Sequence, residues 1–144
     1  MKNTRNDSPY YLRTILDTCQ KDLESQNISC NRISFDELGF ETAGAEVTLT
    51  FEKKDDEFIQ LVVITSLASK HIDSSSLLEI INDVNRQIKE VKGFLSDSGT
   101  IIFSVEILLN PVSHFTRLFE RHLAVAIEGI HLFTQRLAVY QEKC

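Results

Sequence analysis

The chain has 144 residues, 42% of them apolar and 25% charged, and carries a net charge of −6. Those proportions suit one soluble domain able to bury about two thirds of its unfolded surface, so a single α+β domain over residues 1–144 is expected, with residues 1–8 disordered. No apolar run approaches the roughly 18 residues of a membrane span, and the acidic balance offers no basic stripe to a polyanion, so neither a membrane nor a nucleic acid is an expected partner.

The opening MKNTRNDSPYY has no apolar core of the kind a secretory signal needs, and a cytoplasmic location is the default expectation. Ser8-Pro9 places a capping hydroxyl before proline at the first helical position, which needs no N–H partner. Leu12, Ile15, Leu16, Cys19 and Leu23 then recur at three- and four-residue spacing, which predicts an amphipathic helix to about Ser25. Three cysteines, Cys19, Cys30 and Cys144, form no CxxC and leave one over in any pairing, so reduced thiols are expected. Cys19, on the apolar stripe, reads as a small core hydrophobe.

NRISF is a weak strand, and DELGFETAG, with Gly39 and Gly44, reads as a turn region. AEVTLTFE alternates, with Ala45, Val47, Leu49 and Phe51 on one face of a half-buried strand. KKDDE turns the chain into FIQLVVITS, Phe58–Ser66, which is apolar on both faces and is expected to be central and covered above and below. A five-residue turn sets Leu49 opposite Leu61 and Val47 opposite Val63, leaving Phe58, Val62 and Ile64 to point the other way. Between Asp36 and Glu57 lie eight acids and two lysines, the whole charge excess of the chain; the remainder holds thirteen acids and thirteen bases. Charged edges that discourage aggregation are one reading of this segment, and a patch that draws a basic partner is the other.

HIDSSSLLEI opens a second helix with Asp73 or Ser74 as cap and a Ser76-x-x-Glu79 spacing that fits a capping box. Leu77, Ile81, Val84, Ile88 and Val91 make its single apolar stripe. Asn82 and Asn85, three apart in NDVNRQ, either line the margin of that stripe or bond across to the next hairpin or to a partner helix. VKGFL, the turn SDSG and TIIFSVEILL predict a hairpin, with Ile102, Ser104, Glu106 and Leu108 on one side of its second strand. Asn110-Pro111 breaks that strand and starts a last helix, on which Phe115, Leu118, Phe119, Ala126, Ile130, Phe133 and Leu137 recur. Gly129 either divides it or marks a close helix contact. The order α-β-β-β-α-β-β-α describes an antiparallel sheet of about five strands with three helices packed on it.

Reactive chemistry has no visible carrier. His114, His122 and His131 are spaced by eight and nine, His71 stands apart, and none falls at the i,i+4 spacing that aims two imidazoles at one ion. There is no GxSxG, Walker loop or GxGxxG. The adjacent acids Asp36-Glu37 and Asp55-Asp56-Glu57 are expected on turns, facing water rather than sharing a pocket. No enzyme, metal or cofactor is expected.

The helix ending Asn85-Arg86-Gln87, the strand Val91–Leu95, the Ser96–Gly99 turn and the strand closing at Leu109 resemble the YbjN-like family, described as bacterial sensory transduction regulators. The element order also resembles class I type III secretion chaperones, small acidic cytoplasmic dimers, and the resemblance covers about residues 45–140. It implies a type III secretion chaperone-like fold and a non-enzymatic module, dimeric, that binds a basic or unfolded protein segment through an apolar face. The face expected to do this, or to build the homodimer, comprises Phe58, Val62, Ile64, Ile102 and Leu108 with Asn82 and Asn85. A regulatory or structural homodimer with no client is the alternative.

Overall fold

Helix α1 spans Ser8–Ser25 in the computed structural model, which describes residues 8–52, 55–64, 72–108 and 112–143. Ile15, Leu16, Cys19 and Leu23 are all buried, as the stripe requires. The helix closes on a Schellman motif. Asn27, at φ 63°, donates to the Glu24 carbonyl, and the Ile28 N–H reaches back to Leu23, both at 3.0 Å. Asparagine takes the left-handed position that glycine usually fills, and Ile28 packs on the core beyond it.

Six strands follow in one antiparallel sheet. They are β1 (Cys30–Ser34), β2 (Glu37–Thr42), β3 (Ala45–Glu52), β4 (Asp55–Ile64), β5 (Lys92–Leu95) and β6 (Ile101–Leu108), ordered β1-β2-β3-β4-β6-β5. The expected five become six because ELGFET, read as a turn from its glycine, is a strand. Leu38 and Phe40 point into the core, and Gly39 between them makes room for β1: a Cβ there would stand 2.9 Å from Ile33 Cδ1. The turn itself is only Ala43-Gly44, at φ 51° and 76°, the type I′ geometry that matches strand twist. Leu49 does pair with Leu61 and Val47 with Val63. Arg32 of β1 donates to Asp17 and Gln20, tying α1 to the sheet edge.

Helix α2, Ser74–Gln87, starts at Asp73, whose carboxylate accepts from the Ser76 N–H at 3.3 Å and from its hydroxyl at 2.6 Å. The cap is therefore Asp73, and Ser76 serves it from inside the first turn. Leu77, Ile81, Val84, Ile88 and Val91 are buried as expected, and so is Ile80. The Ser96–Thr100 turn then leads into β6. Helix α3, Val112–Glu142, runs unbroken for 31 residues, about 45 Å. Gly129 does not divide it. A Cβ there would lie 3.2 Å from Val91 Cγ1, so the glycine lets α3 settle against the strand layer and the end of α2. The two helices are also joined where the Tyr140 hydroxyl meets Ser76 Oγ at 2.7 Å and Arg136 Nε lies 3.3 Å from Asp83.

One core unites the stripes of all three helices with Leu38, Phe40, Val47, Leu49, Phe51, Ile59, Leu61, Val63, Ile101, Phe103 and Val105. The registers place all these strand residues on one face of the sheet. The expectation that β4 is covered above and below is thus corrected: it is central, between β3 and β6, but the described helices all lie on one side. Geometry accounts for this. Six strands at about 4.8 Å make a sheet whose width three helices at about 10 Å fill side by side, leaving none for the other face. Residues 1–7, Lys53 and Lys54, where the sequence predicts a turn, Thr65 and Ser66, His71, and Asn110-Pro111, where it predicts a break, lie outside the described residues, as does the side chain of His114.

Candidate protein-binding face

The face of the sheet opposite the helices is built by the strand residues that alternate with the core. Its centre comes from β4 and β6. Phe58 pairs with Leu108, Gln60 with Glu106, Val62 with Ser104 and Ile64 with Ile102. The short strand β5 extends two of these rows, since Lys92 pairs with Ser104 and Phe94 with Ile102. Phe58, Val62, Ile64 and Ile102 are half-buried, while Leu108 and Phe94 are 56% and 40% exposed. None of these six apolar side chains joins the core. The face therefore has two apolar bands, Phe58–Leu108 and Ile64–Ile102–Phe94. Six residues along β4 separate them, about 20 Å. Val62 lies between them, beside a polar rung in which Gln60 Nε2 and Lys92 Nζ both donate to Glu106 Oε1. The Lys92 ammonium also stands 6.0 Å from the centre of the Phe94 ring.

Towards β3 and β2 the same face turns acidic. Glu46 pairs with Ile64 on one side and with Glu41 on the other, and Glu37 pairs with Thr50. Two carboxylates directly opposed across a strand pair repel each other. Among the described residues none of these three glutamates is in an ion pair, whereas Lys92 on the apolar side is held by Glu106.

Of the seven residues the sequence singled out, five stand together here: Phe58, Val62, Ile64, Ile102 and Leu108. Asn82 and Asn85 do not join them, because α2 belongs to the opposite layer. Asn82 is exposed on that helix, and Asn85 turns its amide onto the backbone of Gly93. Phe94 was missed. Its signal lies in VKGFL, where a strand with Gly93 turned inward must turn Phe94 outward.

His122 is buried on α3, with Nδ1 3.5 Å from Glu90 Oε2, and His131 is exposed. Burial pushes the Cys19 thiol up to about 12, with the Asp22 charge adding to the effect, so it is a poor nucleophile. Among the described residues no three His, Cys, Asp or Glu side chains are grouped to hold a metal ion, and no helix is long and apolar enough to cross a membrane.

No family model matches the chain, and no curated protein matches it. Solved structures do. A chain of the HopA1–SchA chaperone–effector complex superposes with a TM-score of 0.66 at 18% identity, over 89% of this chain and 96% of that one. YbjN from E. coli matches with a TM-score of 0.48 at 17% identity, over 81% and 91% of the two chains. A chain of the heterodimeric ExoU–SpcU complex from the type III secretion system of Pseudomonas aeruginosa gives 0.49 at 17% identity, over 78% and 95%. The first match shows a shared fold, the chaperone-like α+β arrangement that the order of elements led us to expect; the other two, below 0.5, add no weight.

Proposed function

We propose that this chain is a non-enzymatic, chaperone-like binding module of the cytoplasm that holds a segment of another protein on the open face of its sheet. The observation that carries this reading is the pair of apolar bands, Phe58–Leu108 and Ile64–Ile102–Phe94, on a face that no described helix covers. Removing such apolar surface from water is favourable; with these side chains already partly buried, covering each is worth about 1 kcal/mol, a fraction of the roughly 1.5–3 kcal/mol for a fully exposed one. The fold shared with a chain of a chaperone–effector complex supports the same reading. The free thiols of Cys19 and Cys30 suit a reducing compartment.

A second copy of the chain is the competing cover. A homodimer with a two-fold axis presents the same patch from both subunits, and an antiparallel sheet face lends itself to that arrangement. One experiment separates the two. A photo-reactive residue at Val62 is expected to cross-link a second, different polypeptide in cells, while the same residue at Leu78, exposed on α2, does not. Cross-links from position 62 only to another copy of the chain favour the clientless homodimer. Equal cross-linking from both positions discards the open face as the site.

A further inference from the structure

Resting on that reading, we infer that the segment taken by the open face is extended and basic: two apolar anchors about six residues apart, with lysine or arginine beside the anchor that meets Ile64 and Ile102. The spacing follows from the two bands. They lie about 20 Å apart along β4, the length of six residues of extended chain, whereas a helix would need about thirteen. The polar rung of Gln60, Glu106 and Lys92 between the bands suits the backbone and small polar residues of the stretch that joins the anchors.

The charge follows from what is left unbalanced. Glu46 is one strand from Ile64 and Glu41 one strand further, roughly 5 and 10 Å away. That is within the reach of a lysine or arginine on a segment seated over Ile64. The two carboxylates oppose each other, and no base pairs with either among the described residues, so a cation placed between them relieves a repulsion as well as forming a pair. On the far side of the face, Lys92 is already engaged by Glu106 and offers no free cation to an acidic segment. A second copy of the chain complements this charge poorly, because it carries a net −6 of its own.

The test uses the full chain and three labelled peptides of about ten residues, read by fluorescence anisotropy at low and high salt. The first carries two leucines six apart and two lysines beside one of them. The second replaces the lysines by glutamate, and the third replaces the leucines by serine. The first is expected to bind about tenfold more tightly than the second at low salt, with the gap narrowing as salt rises. The leucine-free peptide is expected not to bind. In the E41Q/E46Q double variant the lysine preference is expected to disappear; that variant removes a repulsion, so its urea midpoint is expected to be no lower than that of the parent. Equal binding of the lysine and glutamate peptides, or a preference that survives E41Q/E46Q, overturns the basic segment and leaves the open face standing as a binding surface. Failure of all three peptides, together with cross-links from Val62 only to the chain's own copy, overturns both.

Discussion

Asn85 and Gly93 are joined by two hydrogen bonds: the Gly93 N–H donates to Asn85 Oδ1 at 2.7 Å, and Asn85 Nδ2 donates to the Gly93 carbonyl at 3.2 Å. Gly93 lies on β5, the last strand of the sheet, and is paired on its inner side with Phe103. The asparagine amide meets the outward groups as a further strand would, and so closes the open edge at that residue. Asn85→Ala is expected to lower stability by about 1–3 kcal/mol in urea unfolding, since two part-buried backbone groups lose their partners. It is also expected to promote concentration-dependent association through the freed edge, visible by light scattering. An unchanged midpoint with no association would refute this role.

Gly93 has a second constraint on its other side. A Cβ at this position would stand 2.4 Å from Phe103 Cε1 and 3.1 Å from Ile81 Cγ2. Phe103 is fully buried and also packs on Phe133, with ring centres 5.7 Å apart, so it has little room to retreat. Gly93→Ala is expected to cost about 1–3 kcal/mol by overpacking. Adding Phe103→Leu is expected to cost less than the sum of the two single changes, and a double-mutant cycle by urea denaturation measures the difference.

The β2–β3 turn is improvable. Ala43 holds φ 51° in a type I′ turn, where asparagine is the favoured first residue and Gly44 already occupies the second. Ala43→Asn is expected to raise stability by up to about 1 kcal/mol, while Ala43→Val, with a β-branched side chain in the left-handed region, is expected to lower it. Thermal unfolding of the two variants should move the midpoint in opposite directions.

The start of α2 carries a pH signature. The Ser76 hydroxyl, and with it the Ser76 N–H, holds the Asp73 carboxyl below the usual carboxylate range. A folded value below the unfolded one, about 3.9, means that the cap's ionic contribution is complete above that pH and is lost as the pH falls through the folded value. The urea midpoints of the parent and Asp73→Ala should therefore stay a constant distance apart from pH 5 to 8 and draw together below about pH 4. A gap as wide at pH 3 as at pH 7 would show that the charge plays no part.

Much of this architecture is legible in the sequence because single elements declare themselves. The α2 stripe, the β3–β4 register through Leu49–Leu61 and the Ser96–Thr100 hairpin each follow from local periodicity or turn chemistry. β2 was not legible. Gly39 weakens the strand signal, and only the tertiary fact that Ile33 needs its empty side explains it. Which face the helices would choose was equally hidden, because FIQLVVI is apolar on both sides and nothing local says which side is shielded by the same chain. The site residues split for a related reason. Phe58, Val62, Ile64, Ile102 and Leu108 share a face by strict alternation, but placing Asn82 and Asn85 relative to them depended on which layer α2 joined.

Helix α3 touches α1, α2, β4 and β6, and it is the last element of the described chain to be made. Until the 31 residues of α3 have left the ribosome, Phe103 lacks Phe133, its ring neighbour 5.7 Å away, and β4 and β6 lack part of their cover. The strands of the described sheet therefore gain their full cover only when α3, made after all of them, packs across β4 and β6.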